Sequence, residues 1–133
     1  MVSDKDRIVM LTLHRKGLIE IFTQAIEKRP RMAVFTEHEV KNLKAAVTER
    51  KPDVALVEVP ERYGAPALDM LIACDLIKSA RPECKIMLMC PENDKESVDE
   101  CIKAKREKRI EDFVFYDAAP DYLASMLESL LSL

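Results

Sequence analysis

Lys51-Pro52-Asp53-Val54-Ala55-Leu56-Val57-Glu58 sets an unbroken apolar run between a proline and a carboxylate. Apolar residues at both parities read as a strand covered on both faces, the habit of parallel sheets. The run ends at Glu58, and the carboxyl end of a central parallel strand is where open α/β sheets keep their chemistry. Pro52 closes the helical pattern before it. A loop, Pro60-Glu61-Arg62-Tyr63-Gly64-Ala65-Pro66, follows.

Similar units repeat on either side. Short apolar runs at 7–12, 32–36, 85–90 and 112–116 predict four more strands. Between them apolar residues recur at helical spacing. Leu18, Phe22, Ala25 and Ile26 mark a first helix over 17–29, stopped by Pro30. Val40, Leu43, Ala46 and Val47 mark a second, with Thr36 as its cap and Glu39 at the capping-box position. A third, over 67–80, carries two apolar stripes: Leu68, Leu71, Ile72, Leu76 and Met70, Ala73, Cys74, Ile77. The second stripe is too apolar for a solvated face and is expected either to meet a partner or to lie under the 60–66 loop. Asn93 or Asp94 caps a fourth helix that buries Val98, Cys101 and Ile102. Leu123, Met126, Leu127, Leu130 and Leu131 form the stripe of the last.

Five strands alternating with five helices, joined by right-handed crossovers, leave few topologies. The expected fold is α/β, a flavodoxin-like (βα)5 three-layer sandwich. Its five parallel strands stand in the order 2-1-3-4-5, in a single domain over residues 1–133. The crevice at the switch point would be lined by Thr12, Leu13, His14, Glu58, Val59 and Pro60, with Met89, Cys90, Tyr116 and Asp117 beside it.

Composition excludes several functions. Apolar residues at 48% and charged residues at 34% suit a globular domain rather than a disordered one. No apolar run approaches the ~18 residues of a membrane span. The polar start Met1-Val2-Ser3-Asp4-Lys5-Asp6 lacks the apolar core of a secretory signal, so a cytoplasmic protein is expected. A net charge of −3 speaks against direct nucleic-acid binding. Two isolated glycines exclude a Gly-rich phosphate loop. Cys74, Cys84, Cys90 and Cys101 follow no zinc spacing and read as buried free thiols.

From 7 to 131 the chain resembles the CheY-like receiver domain of response regulators. Lys51 to Glu58 is similar to that family's Pro-Asp-apolar run before its phosphoacceptor aspartate. Ile110-Glu111-Asp112-Phe113-Val114-Phe115-Tyr116-Asp117 is similar to the segment leading to its strand-five lysine and proline. The family's chemistry uses an acidic pair holding Mg²⁺, a nucleophilic aspartate, a hydroxyl on strand four and a lysine on strand five. On this chain those positions fall on Thr12 and Leu13, Glu58, Met89 and Tyr116. Mg²⁺ demands oxygen ligands, and a phosphoryl group brings a charge of about −2 that needs cations. The resemblance therefore implies a degenerate pocket, with no phosphorylation at Glu58, no metal and no cofactor. A phosphate-mimicking Glu58 would need a cation, for which His14 is nearest in sequence; otherwise Tyr116 or a backbone N–H would hold the carboxylate. Phe113 matches the family's aromatic switch position, but with Met89 in place of the hydroxyl it reads as core.

Other constellations were weaker. Thr12-Leu13-His14-Arg15-Lys16-Gly17 resembles the Asp-x-His-x-x-Gly motif of cobalamin-binding domains, but Thr12 replaces the aspartate and the later Gly-Gly is missing. Cys90, His14 and Glu58 would make a nucleophile set, yet Cys90 is followed by Pro91-Glu92 and not by a tight glycine turn, so no enzyme is expected. Lys103, Lys105, Arg106, Lys108 and Arg109 crowd the end of the fourth helix, where cations suit the helix dipole. With Glu111, Asp112, Asp121 and Glu128 they would pair reciprocally across a twofold axis. The resemblance implies a dimer through this helix 4–strand 5–helix 5 face.

The sequence thus points to a non-phosphorylatable signalling module acting through protein partners, in a two-component-type or transcriptional pathway. Two alternatives stand beside it. One is the regulatory N-terminal domain of a DNA-binding response regulator separated from its effector. The other is a small-ligand sensor using His14, Glu58, Cys90, Tyr116 and Asp117.

Overall fold

The computed structural model describes residues 6–59 and 66–131. Its strands are β1 (Arg7–Thr12), β2 (Met32–Thr36), β3 (Val54–Glu58), β4 (Lys85–Cys90) and β5 (Asp112–Phe115). Its helices are α1 (Lys16–Glu27), α2 (Val40–Arg50), α3 (Pro66–Ala80), α4 (Lys95–Arg106) and α5 (Pro120–Leu131). All strand pairings are parallel and the order is β2-β1-β3-β4-β5, the expected flavodoxin-like arrangement.

Side chains alternate across a strand, so each run feeds two cores. Met10, Ala55, Val57, Ile86 and Leu88 face one layer with buried residues of α2, α3 and α4. Val9, Leu11, Val54, Leu56, Met87 and Met89 face the other with α1 and α5. Burying each large apolar side chain contributes about 2 kcal/mol of transfer free energy. That is why β3 carries no polar residue before Glu58.

Acidic side chains stitch the amino-terminal edge of the sheet. Asp53 Oδ2 accepts the Ile8 N–H at 2.8 Å and Oδ1 lies 3.6 Å from Arg81. Glu111 Oε1 accepts the Ile86 N–H at 2.6 Å and the Lys78 ammonium at 3.1 Å. The aspartate of the Pro-Asp-apolar run is therefore a structural peg.

Several local expectations need correction. Thr36 does not cap α2: it ends β2, and Glu39 is the N-cap residue with no side-chain cap bond. Asp94 does cap α4, accepting from the Ser97 N–H at 3.4 Å and the Ser97 hydroxyl at 2.8 Å. Ile102 is 40% exposed, because Ser97, Cys101 and Ala104 supply the buried face and the next residue turns about 100° away. The stripe Met70, Cys74, Ile77 is no partner surface. It is buried on the sheet, and the side chain left outside is Ile72, 59% exposed. The side chain of Leu68, and the loop expected at 60–66 apart from the α3 residue Pro66, lie outside the described residues.

Candidate functional site

The carboxyl ends of β1, β3 and β4 and the residue after β5 bring Thr12, Glu58, Met89 and Tyr116 to one end of the sheet. Glu58 is only 2% exposed, and both its oxygens are engaged. Oε1 accepts the His14 N–H at 2.9 Å, and Oε2 lies 3.2 Å from Arg15 Nε. The Arg15 guanidinium carbon sits 4.1 Å from the centre of the Tyr116 ring, in cation–π contact. The Tyr116 hydroxyl donates to the Val59 carbonyl. Val59 N–H in turn donates to Met89 O at 2.8 Å. β1, β3, β4 and the end of β5 are thus joined through one carboxylate, one guanidinium and one phenol.

The cation beside Glu58 is Arg15, and not His14. Arg15 occupies the N-cap position of α1 in extended conformation (φ −88°, ψ 119°). From there its long side chain reaches Glu58. The His14 ring is exposed and meets His38 edge-on, with centroids 6.3 Å apart. Only the backbone of His14 serves the carboxylate. Sequence gave three consecutive cations or near-cations here, His14, Arg15 and Lys16; the direction each takes at a strand-to-helix turn is a tertiary property.

The remaining expected residues divide. Leu13 does not line a crevice: it is fully buried in the α1/α5 core. Met89 is fully buried and packs in that same core. Thr12 is buried, and its hydroxyl has no hydrogen-bond partner among the described residues. Cys90 is buried in the opposite core, while Asp117 is exposed, so His14, Glu58, Cys90, Tyr116 and Asp117 do not converge on a common pocket. Phe113 is half-buried against the α2–α4 core, in edge contact with Phe115.

Mg²⁺ does not fit this arrangement. It needs several oxygen ligands, and the two positions that would carry carboxylates are a threonine and a core leucine. Among the described residues no group of three His, Cys, Asp or Glu side chains is placed to hold a metal ion.

Much of the charged surface at α4, β5 and α5 is satisfied within the chain. Lys105 pairs with Asp112 at 3.0 Å, Arg109 with Asp75 at 2.9 Å, Lys78 with Glu111 at 3.1 Å and Arg29 with Glu128 at 3.4 Å. Arg29 also donates to the Asp121 carbonyl at 2.9 Å. Lys103, Arg106 and Lys108 make no ion pair among the described residues. Tyr122 on α5 is 60% exposed.

No protein-family model matches the chain, and no curated protein matches it. Solved structures do. A response regulator from Thermotoga maritima superposes with a TM-score of 0.77 at 19% identity, covering 96% of this chain and 99% of that one. A CheY-like protein (tadZ) from Pseudomonas aeruginosa PAO1 gives 0.70 at 14% identity, covering 94% and 99%. A protein described as adenylate cyclase from Rhodopirellula baltica gives 0.79 at 10% identity, covering 95% and 87%. At such identities the likeness establishes the fold, which is that of the CheY-like receiver domain. No helix among the described residues is long and apolar enough to cross a membrane.

Proposed function

We propose that this chain is a receiver-type signalling module that works without phosphorylation, through contacts with other proteins. The observation that carries the reading is the closed set Glu58–Arg15–Tyr116. A carboxylate attacks phosphorus through a free oxygen lone pair, with a metal and an ammonium to neutralise the incoming charge. Here one oxygen holds a backbone N–H, the other faces a guanidinium, and a methionine replaces the hydroxyl. The guanidinium supplies permanently the positive charge that a phosphorylated aspartate would otherwise seek. The receiver frame is then held in a single state rather than switched at this site.

Incubation with acetyl phosphate and Mg²⁺ tests this by intact mass. The expected result is an unchanged mass. A gain of one phosphate mapped to Glu58 would overturn the proposal.

The contact surface we assign is the face of α4, β5 and α5, with a second copy of the chain as partner. Lys103, Arg106 and Lys108 stand on its basic side, Asp121 on its acidic side, and Ile102 and Tyr122 give it apolar exposure. Sedimentation over a range of concentrations should show a dimer. Joint replacement Lys103→Glu and Arg106→Glu should weaken it about tenfold, equivalent to about 1.4 kcal/mol. A chain that stays monomeric at high micromolar concentration removes the dimer from the proposal.

A further inference from the structure

The described sheet has two edges, β2 and β5. At β5 the Asp112 carboxylate accepts the Phe113 N–H at 2.8 Å and the Lys105 ammonium at 3.0 Å, so a charged side chain guards that edge. β2, Met32-Ala33-Val34-Phe35-Thr36, holds no charged residue and no proline. Its inner side is fixed. The Arg7 N–H donates to Arg31 O at 2.8 Å and the Glu37 N–H to Leu11 O at 3.0 Å, and the parallel register runs unbroken between them. That ladder takes up the N–H and C=O groups of Ala33 and Phe35. The N–H and C=O groups of Met32, Val34 and Thr36 therefore point outward, and among the described residues nothing pairs with them. Such a row of strand amides is a template for another strand.

The two ends of this edge carry opposite charge. Arg31 precedes β2, exposed, with φ 66°, a left-handed conformation that suits glycine better than a long cation. It makes no ion pair among the described residues. Glu37 follows β2. Its Oε2 accepts the Glu39 N–H at 3.2 Å and meets no cation among the described residues. Val34 lies midway between them. The flanking helices also show apolar side chains to solvent: Ile21 on α1 is 48% exposed and Val40 on α2 is 41% exposed.

We propose that β2 is a self-association edge, where a second copy of the chain adds its own β2 antiparallel about a twofold axis at Val34. The register follows from the groups left free. Val34 stands opposite Val34 of the second copy and Met32 opposite Thr36, each opposed pair exchanging both of its N–H···O bonds. Between them Ala33 faces Phe35, a small side chain against a large one. Arg31 then faces Glu37 at both ends of the pairing, so the twofold repeats one opposite-charge pair. The main-chain bonds supply affinity and the charge pairs select the register.

The α4–β5–α5 face lies at the far edge of the sheet, so each contact forms without the other. The β2 contact does not depend on the reading of the Glu58 site. One sheet would run through two copies, with α1 and α2 of each flanking the seam.

Cysteine cross-linking of the full chain tests the register. Opposed hydrogen-bonded residues have Cα atoms about 5.5 Å apart, within the usual disulfide span of about 4.4–6.8 Å. Val34→Cys treated with oxidised glutathione should give a covalent dimer, its link mapped by peptide analysis to the two introduced thiols. Ala33→Cys, whose copies stand diagonally about 7–8 Å apart, should link several-fold less. Sedimentation in the Lys103→Glu, Arg106→Glu background reads the edge without the other face. There Arg31→Glu or Glu37→Arg should each weaken association about tenfold, and the two together should restore it. Equal linking by Val34→Cys and Ala33→Cys, no link in a folded Val34→Cys chain, or unchanged association in Arg31→Glu would each overturn the proposal. A chain monomeric at high micromolar concentration in that background also overturns it, leaves the α4–β5–α5 face untouched, and frees the edge for a strand of a different protein. If Val34→Cys fails to fold, the charge exchange decides alone.

Discussion

Leu13→Asp is expected to leave little folded protein. The substitution restores the residue type that a metal-binding receiver would carry at this position, yet Leu13 is fully buried among the α1 and α5 side chains. An aspartate there either ionises in an apolar core or takes up a proton, and both cost free energy. The Glu58 carboxylate on the adjacent strand, already buried, adds like-charge repulsion. Lost packing contributes a further ~2 kcal/mol or more. The sum exceeds about 4 kcal/mol, against a total of roughly 5–15 kcal/mol for a domain of this kind. Urea denaturation followed by far-UV circular dichroism measures it. Leu13→Met, which conserves volume, should cost less than about 1.5 kcal/mol. A well-folded Leu13→Asp protein that binds Mg²⁺ would mean that position 13 faces solvent, contrary to the packing described.

Arg15→Ala should be the next most damaging change near the site. Glu58 would keep the His14 N–H and lose its only ion-pair partner among the described residues, leaving a buried carboxylate half-compensated. Breaking a fully buried pair costs about 3–5 kcal/mol. The Arg15 side chain is 45% exposed, so solvent screens the pair and the expected loss is nearer ~2 kcal/mol. Calorimetry should register a fall in Tm of roughly 6–10 °C. Glu58→Gln in the Arg15→Ala background should recover part of this, because the neutral amide needs no counter-charge. Arg15→Lys should recover less than the native residue, since an ammonium does not reproduce the planar stack on Tyr116. If Arg15→Ala melts with the wild-type protein, the pair is only a surface contact and the closed-site reading loses its support.

Both predictions turn on residues that sequence reading placed imperfectly. Thr12, Glu58, Met89 and Tyr116 were legible because a parallel strand has a countable carboxyl end, and the register of the sheet keeps those ends together. Leu13 was misplaced because one residue beyond β1 the chain still follows the strand's alternation, which sends that side chain into the core. Arg15 was missed because its neighbours His14 and Lys16 carry similar chemistry in the one-dimensional text. On α4, Ile102 looked like core by hydrophobicity alone. Cys101 and Ala104 won the buried face because that stripe also includes Ser97, whose hydroxyl is satisfied at the Asp94 cap. The charges of 103–128 looked available for a partner, and the folded chain uses many of them internally.

The periodicity of apolar residues by itself indicated five strands and five helices, and the order 2-1-3-4-5, one of the few arrangements then open, is the one the sheet adopts. Burial of apolar area is additive along the chain, and right-handed crossovers admit few arrangements. Which cation meets Glu58 and which charges remain on the surface were decided only by the tertiary structure. Those pairings depend on side-chain direction at the ends of elements, where a shift of one residue rotates a group from core to solvent and no repeating pattern records the outcome.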